Sequence, residues 1–107
     1  MIDKLYKIAE GLNTKFPDGN EPFMIVTRLA EECGEVAAEV NHIERKGVKV
    51  ARYGEPDRMA FAKELQQVMR AALQLAMYYN LQDELSTSVD ESYRRVVADG
   101  LVTPLPD

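Results

Sequence analysis

The sequence predicts an all-α protein. Apolar residues recur at helical rather than strand spacing along most of the chain, proline and glycine clusters cut it into separate segments, and no alternating stretch reads as a strand. With 107 residues, 46% of them hydrophobic and 29% charged, the chain has the balance of one globular domain covering residues 1–107.

Leu5, Ile8, Ala9 and Leu12 mark a first short helix, closed by the turn cluster Phe16-Pro17-Asp18-Gly19-Asn20. Pro22 suits a first helical turn, with Asn20 or Glu21 before it as cap. A second helix then runs to about Arg45, and Phe23, Val26, Ala30, Cys33, Ala37 and Val40 form its core-facing stripe before Gly47 stops it. Residues 47–56 read as a loop, with Lys46, Lys49 and Arg52 making this the most basic part of the chain. Pro56 opens a third helix that reaches about Asn80, its stripe set by Phe61, Leu65, Val68, Ala72, Leu75 and Tyr79. Ser88 and Glu91 match a capping box, which starts a final short helix ending near Gly100; the tail LVTPLPD is irregular. Two long helices paired antiparallel expose more apolar surface than two short ones can cover. A homodimer or homotetramer that completes a helical bundle is therefore expected.

The formal charge of -5 and the pI near 4.9 favour cations as partners and repel a nucleic-acid backbone on average unless a basic patch is locally concentrated, so no nucleic-acid partner is expected. Cys33 is the single cysteine, so the chain has no internal disulfide, and a reducing cytoplasmic setting is expected. The N-terminal MIDKLYKIAEGL lacks the apolar core of a secretion signal, and no apolar run approaches the roughly 20 residues that span a bilayer. No membrane partner is expected.

The chemistry lies in Glu31-Glu32-Cys33-Gly34-Glu35. On a helix, Glu32, Glu35 and Glu39 share a face, and like charges at that spacing repel. Glu64 and Gln67 stand at i and i+3 on the third helix, so antiparallel packing of the two long helices brings Glu32, Glu35, Glu64 and Gln67 to one cavity. Oxygen donors without histidine or thiol suit a hard cation such as Mg²⁺ or Mn²⁺. Such a cation can bridge nucleotide phosphate oxygens and orient an attacking water.

Glu-Glu-x-Gly-Glu at 31–35, followed by Glu64-Leu65-Gln66-Gln67 on the next long helix, resembles the MazG-type all-α nucleoside triphosphate pyrophosphohydrolases. In that family an EExxE motif and an ExxD motif bind Mg²⁺, and a nucleoside triphosphate is cleaved to the monophosphate and pyrophosphate. The resemblance covers roughly residues 22–80 and implies that Glu32, Glu35 and Glu64 are metal ligands, joined by Gln67. It also implies that Glu31 and Glu35 serve the catalytic water, and that the protein removes unwanted nucleotides. The departure is Gln67, where the family has Asp. A neutral amide offers an oxygen but no charge, so weaker divalent binding is expected. A helical binding module of the same fold that has lost the chemistry is the other reading, and Gln67 is the feature that separates the two.

Around this centre, Lys49, Arg52 and Arg70 are candidates for phosphate contact, and Tyr53, Tyr78 and Tyr79 for stacking on a base. Read as an ordinary solvated face, the same acids would pair locally, Glu32 with Arg28 and Glu64 with Lys63 or Arg58. Glu39-x-x-His42 has the spacing of a di-iron half-site, but one histidine per chain leaves a partly exposed surface role as the simpler expectation. Cys33 reads as a small buried hydrophobe.

Overall fold

A computed structural model of the chain describes residues 1–44 and 54–107. Four helices account for most of these residues: α1 Ile2–Lys15, α2 Pro22–Glu44, α3 Arg58–Tyr78 and α4 Gln82–Ala98. No strand occurs among the described residues. The chain divides into two compact units, Met1–Leu75 and Ala76–Asp107.

In the first unit, α1 buries Leu5 and Ala9, one turn apart, and leaves Ile8 40% exposed. Its last turn is closed by the Phe16 N–H donating to Leu12 O at 2.8 Å. Gly19 then takes a positive φ of 84°, a conformation that costs glycine little, and Asn20 Nδ2 donates back to Phe16 O. The Ile25 N–H donates to Glu21 O, which puts Glu21 at the start of α2 and Pro22 in its first turn. Asp57, rather than Pro56, opens α3. Its carboxylate accepts from the N–H groups of Met59 and Ala60 at 3.0 and 3.2 Å, two donors a helix start leaves without a partner inside the helix.

The packed face of α2 is not the stripe the periodicity singles out. Ile25 is buried and Arg28, Leu29, Glu32, Val36, Glu39 and Ile43 are half-buried, whereas Val26, Ala30, Cys33, Ala37 and Val40 are exposed and Phe23 is 88% exposed. Cys33 is thus an exposed thiol, not a buried hydrophobe. On α3 the buried positions are Ala71, Leu73, Gln74 and Ala76; of the expected stripe, Phe61, Val68 and Leu75 are half-buried while Leu65, Ala72 and Tyr79 are exposed. Cross-helix partners run in opposite order along the two helices, Arg28 with Gln74 and Glu32 with Gln67, so α2 and α3 are antiparallel. The inner seam mixes apolar side chains with Arg28, Glu32, Glu39 and Gln74, and substantial apolar surface lies on the outside. Among the described residues Ile25, 2% exposed, is the largest fully buried side chain, and its truncation to alanine should cost about 2–5 kcal/mol, read as a lowered denaturation midpoint.

In the second unit, α3 ends with Asn80 at φ 56°; Leu81 N–H donates to Ala76 O and Asn80 N–H to Met77 O. That pair of bonds is a Schellman closure built on asparagine in place of glycine. The chain re-enters a helix at once, so α4 begins at Gln82, with Asp83 and Glu84 in the first turn where negative charge favours the helix dipole. Ser88 therefore lies inside α4 and caps nothing, and the helix is 17 residues long. The same closure recurs at its end, where Gly100 has φ 72° and Leu101 N–H donates to Val96 O. Beyond it, the Leu105 N–H donates to the Tyr93 hydroxyl at 2.6 Å, which ties the tail to α4.

Candidate metal centre

Glu32 and Glu35 project from α2 toward Glu64 on α3, and one carboxylate oxygen from each lies within 4.8 Å of the others. Glu32 and Glu64 are half-buried and Glu35 is exposed. Helical spacing explains the convergence: i and i+3 on α2 present two acids to one place, and the antiparallel neighbour supplies the third. With its amide nitrogen facing the acids, Gln67 donates to Glu32 Oε2 at 2.9 Å and to Glu64 Oε2 at 3.1 Å. The amide thus bridges the two helices across the carboxylates.

Three carboxylates this close cannot all carry full charge at no cost. The Glu64 carboxyl is pushed up from 4.5 to about 7, first by a hydrogen bond shared with Glu35, then by desolvation, then by the charges of Glu35 and Glu32. Near neutral pH the cluster therefore holds a proton between Glu64 and Glu35 for much of the time. A divalent cation does the same work as that proton and does it for all three acids at once. The donor set fits such a cation: oxygen ligands, negative charge concentrated at one point, and an amide whose oxygen can replace its nitrogen by rotation about the last side-chain bond.

The local pairings of an ordinary solvated face do not form. Arg28 Nη2 donates to Gln74 Oε1 at 3.1 Å rather than pairing with Glu32, and Glu64 faces Glu35 rather than Lys63 or Arg58. Glu31 is exposed on α2 and Glu39 is half-buried one turn past Glu35. Arg70 is half-buried and donates to Gln66 Oε1 at 3.2 Å on its own helix. Lys46, Lys49, Arg52 and Tyr53 lie outside the described residues. Tyr78 and Tyr79 meet edge to face, with centroids 5.1 Å apart. His42 is half-buried, and its Nε2 lies 2.8 Å from the Gly54 carbonyl, which commits the ring to a local bond.

Sequence reasoning missed Gln74 and Asn13. Gln74 is 7% exposed and donates through Nε2 to Asn13 Oδ1 at 3.2 Å while accepting from Arg28. The only available signal was the seven-residue spacing from Gln67 to Gln74, two turns along one face of α3. Comparison with protein-family models, curated proteins and solved structures found no match.

Proposed function

We propose that this chain is a MazG-like pyrophosphohydrolase that cleaves ribo- or deoxyribonucleoside triphosphates to the monophosphate and pyrophosphate. Glu32, Glu35, Glu64 and the amide oxygen of Gln67 would hold Mg²⁺ or Mn²⁺. One observation carries this reading: three carboxylates from two antiparallel helices meet within 4.8 Å, close enough that one of them keeps its proton to about pH 7. A divalent ion in such a site supplies charge neutralisation for phosphate oxygens and a more acidic water. With such an ion held there, Glu64 would be deprotonated and Gln67 would offer it the amide oxygen. Glu35 and the exposed Glu31 are assigned to holding the attacking water and accepting its proton. The water oxygen bonds to the α-phosphorus, the bond from that phosphorus to the bridging oxygen breaks, and pyrophosphate departs. The test is pyrophosphate release from a panel of nucleoside triphosphates with Mg²⁺ or Mn²⁺. Metal-dependent release abolished by a chelator is expected; none from folded, metal-loaded protein would sink the enzymatic reading.

The Gln67 bridge favours a second reading. Because the amide nitrogen already satisfies Glu32 and Glu64, the cluster can rest without a cation, as in a silent binding module of the same fold. Gln67→Asp separates the two. The added carboxylate should tighten Mn²⁺ binding by about tenfold or more, since ligand charge sets divalent affinity. Turnover that appears only in the variant assigns the native chain to the silent class.

The outer stripe of α2 supports a homodimer or homotetramer, because Phe23, Val26 and Val40 are exposed in the single chain at 88%, 49% and 44%. No helix among the described residues is long and apolar enough to cross a membrane, so a second copy is the proposed cover for this face. Light scattering should give a mass of two or four chains, and Ala37→Arg in the middle of the stripe should shift it to one.

A further inference from the structure

Arg28 sits one turn before Glu32 on the face of α2 that meets α3. An arginine so placed has a ready partner in the Glu32 carboxylate, yet its Nη2 donates to the neutral Gln74 Oε1 at 3.1 Å. That acceptor is fixed from a third helix, because Gln74 is 7% exposed and its Nε2 donates to Asn13 Oδ1 at 3.2 Å. The guanidinium is therefore steered by a buried amide relay rather than drawn into the acids. Gln67, which touches the acids, and Gln74, which touches Arg28, lie two turns apart on α3, so the arginine and the acid cluster occupy neighbouring levels of one helix pair.

A guanidinium has five N–H donors in a planar fork, and Gln74 takes one of them. A half-buried cation held by a single neutral bond is under-compensated until an anion reaches it. The fork matches the paired oxygens of a phosphate better than a point charge does. We infer that Arg28 is a phosphate-binding residue: aimed by Asn13 and Gln74, its guanidinium receives oxygens of a polyphosphate chain whose other oxygens reach the divalent ion at Glu32, Glu35 and Glu64. This rests on the metal reading above and adds to it the residue that grips the anion. The relay keeps the arginine from closing an ion pair with Glu32 that would occupy both the cation and a metal ligand. Gln74 and Asn13 are positioning residues in this arrangement.

The test uses two probes on the full chain, Mn²⁺ alone and inorganic tripolyphosphate in the presence of saturating Mn²⁺, both followed by calorimetry. Arg28→Met should bind Mn²⁺ as tightly as the native protein, or more tightly with one positive charge removed, and should bind tripolyphosphate at least tenfold more weakly. Arg28→Lys keeps the charge, loses the fork and should fall between the two; if the methionine variant does not fold, the lysine variant decides alone. Gln74→Leu leaves the arginine in place but unaimed, and should weaken tripolyphosphate binding severalfold while Mn²⁺ binding holds. Native-strength tripolyphosphate binding by folded Arg28→Met, or by Arg28→Lys where only that variant folds, overturns the assignment and leaves the metal site standing. Failure of the native protein to bind Mn²⁺ overturns the metal site, and the Arg28 assignment falls with it.

Discussion

Glu35→Gln is expected to abolish Mn²⁺ binding and pyrophosphate release together while the fold survives. Glu35 shares the hydrogen bond that does most to raise the Glu64 carboxyl, and its oxygen is one of the three that converge within 4.8 Å. Removing its charge leaves two acids and an amide, and divalent affinity falls as the charge of the ligand set falls. Loss of even an outer partner of a metal ligand costs roughly 10–100-fold in affinity or activity, so loss of a ligand should exceed that range. The same substitution relieves repulsion in the metal-free protein, and Glu64 should fall back toward 4.5. The variant should therefore melt no lower than the native chain at pH 8 without metal. Loss of binding accompanied by a collapse in stability would instead make Glu35 a structural residue.

The second large effect is in pH. Glu64 holds its proton up to about pH 7, and a cation must displace it. Mn²⁺ affinity should consequently fall by about tenfold per pH unit below 7 and level off above it, because one proton is exchanged for each ion bound. Calorimetry at pH 6 in buffers of different ionisation heat should report about one proton released per ion, and almost none at pH 8.5. The metal-free fold obeys the same linkage. A carboxyl whose folded value of about 7 exceeds the unfolded 4.5 favours the folded state in its protonated form. Its contribution is complete below pH 4.5 and is lost as pH rises through 7, so metal-free protein should be less stable at pH 8 than at pH 5.5 from this group. Mn²⁺ should raise stability most at pH 8. A flat affinity profile from pH 5.5 to 8 would mean that Glu64 is not a ligand.

What the sequence made legible, and what it hid, follows from which signals are local. Helix starts and stops marked by glycine or proline were readable, as at Pro22 and Gly100, because those residues act on their own backbone. The end of α3 near Asn80 was readable too, but the start of α4 was not, because the chain re-enters a helix directly after the Asn80 closure and Leu81 supplies no side-chain cap to announce it, so the reading waited for Ser88. Pro56 drew the start of α3 two residues too early, since the Asp57 carboxylate does the capping and the helix begins at Arg58. The choice of inner face on α2 failed for a different reason. That helix carries an outer stripe through Phe23, Val26 and Val40 and an inner face through Ile25, Val36 and Ile43. Periodicity cannot say which of two such faces meets the chain's own neighbours.

The acid cluster was legible because its logic is long in range but simple in rule: acids at i and i+3 on α2, an acid and an amide at i and i+3 on an antiparallel partner. The amide relay from Asn13 through Gln74 to Arg28 was not, since it joins three helices and no spacing within one of them encodes it. The physical lesson of Gln67 is similar. Its missing charge was visible in the sequence, whereas its bridging of Glu32 and Glu64 depends on where the two helices put their carboxylates.

The most direct measurement is an anomalous difference map from crystals of the native protein grown with Mn²⁺ at pH 8. The arrangement described above requires one strong peak bonded to oxygens of Glu32, Glu35 and Glu64, with the Gln67 amide turned so that its oxygen faces the ion. A fully ordered cluster with no peak, its Gln67 nitrogen still bridging Glu32 and Glu64, would contradict the metal centre and assign these acids to a site that works without a cation.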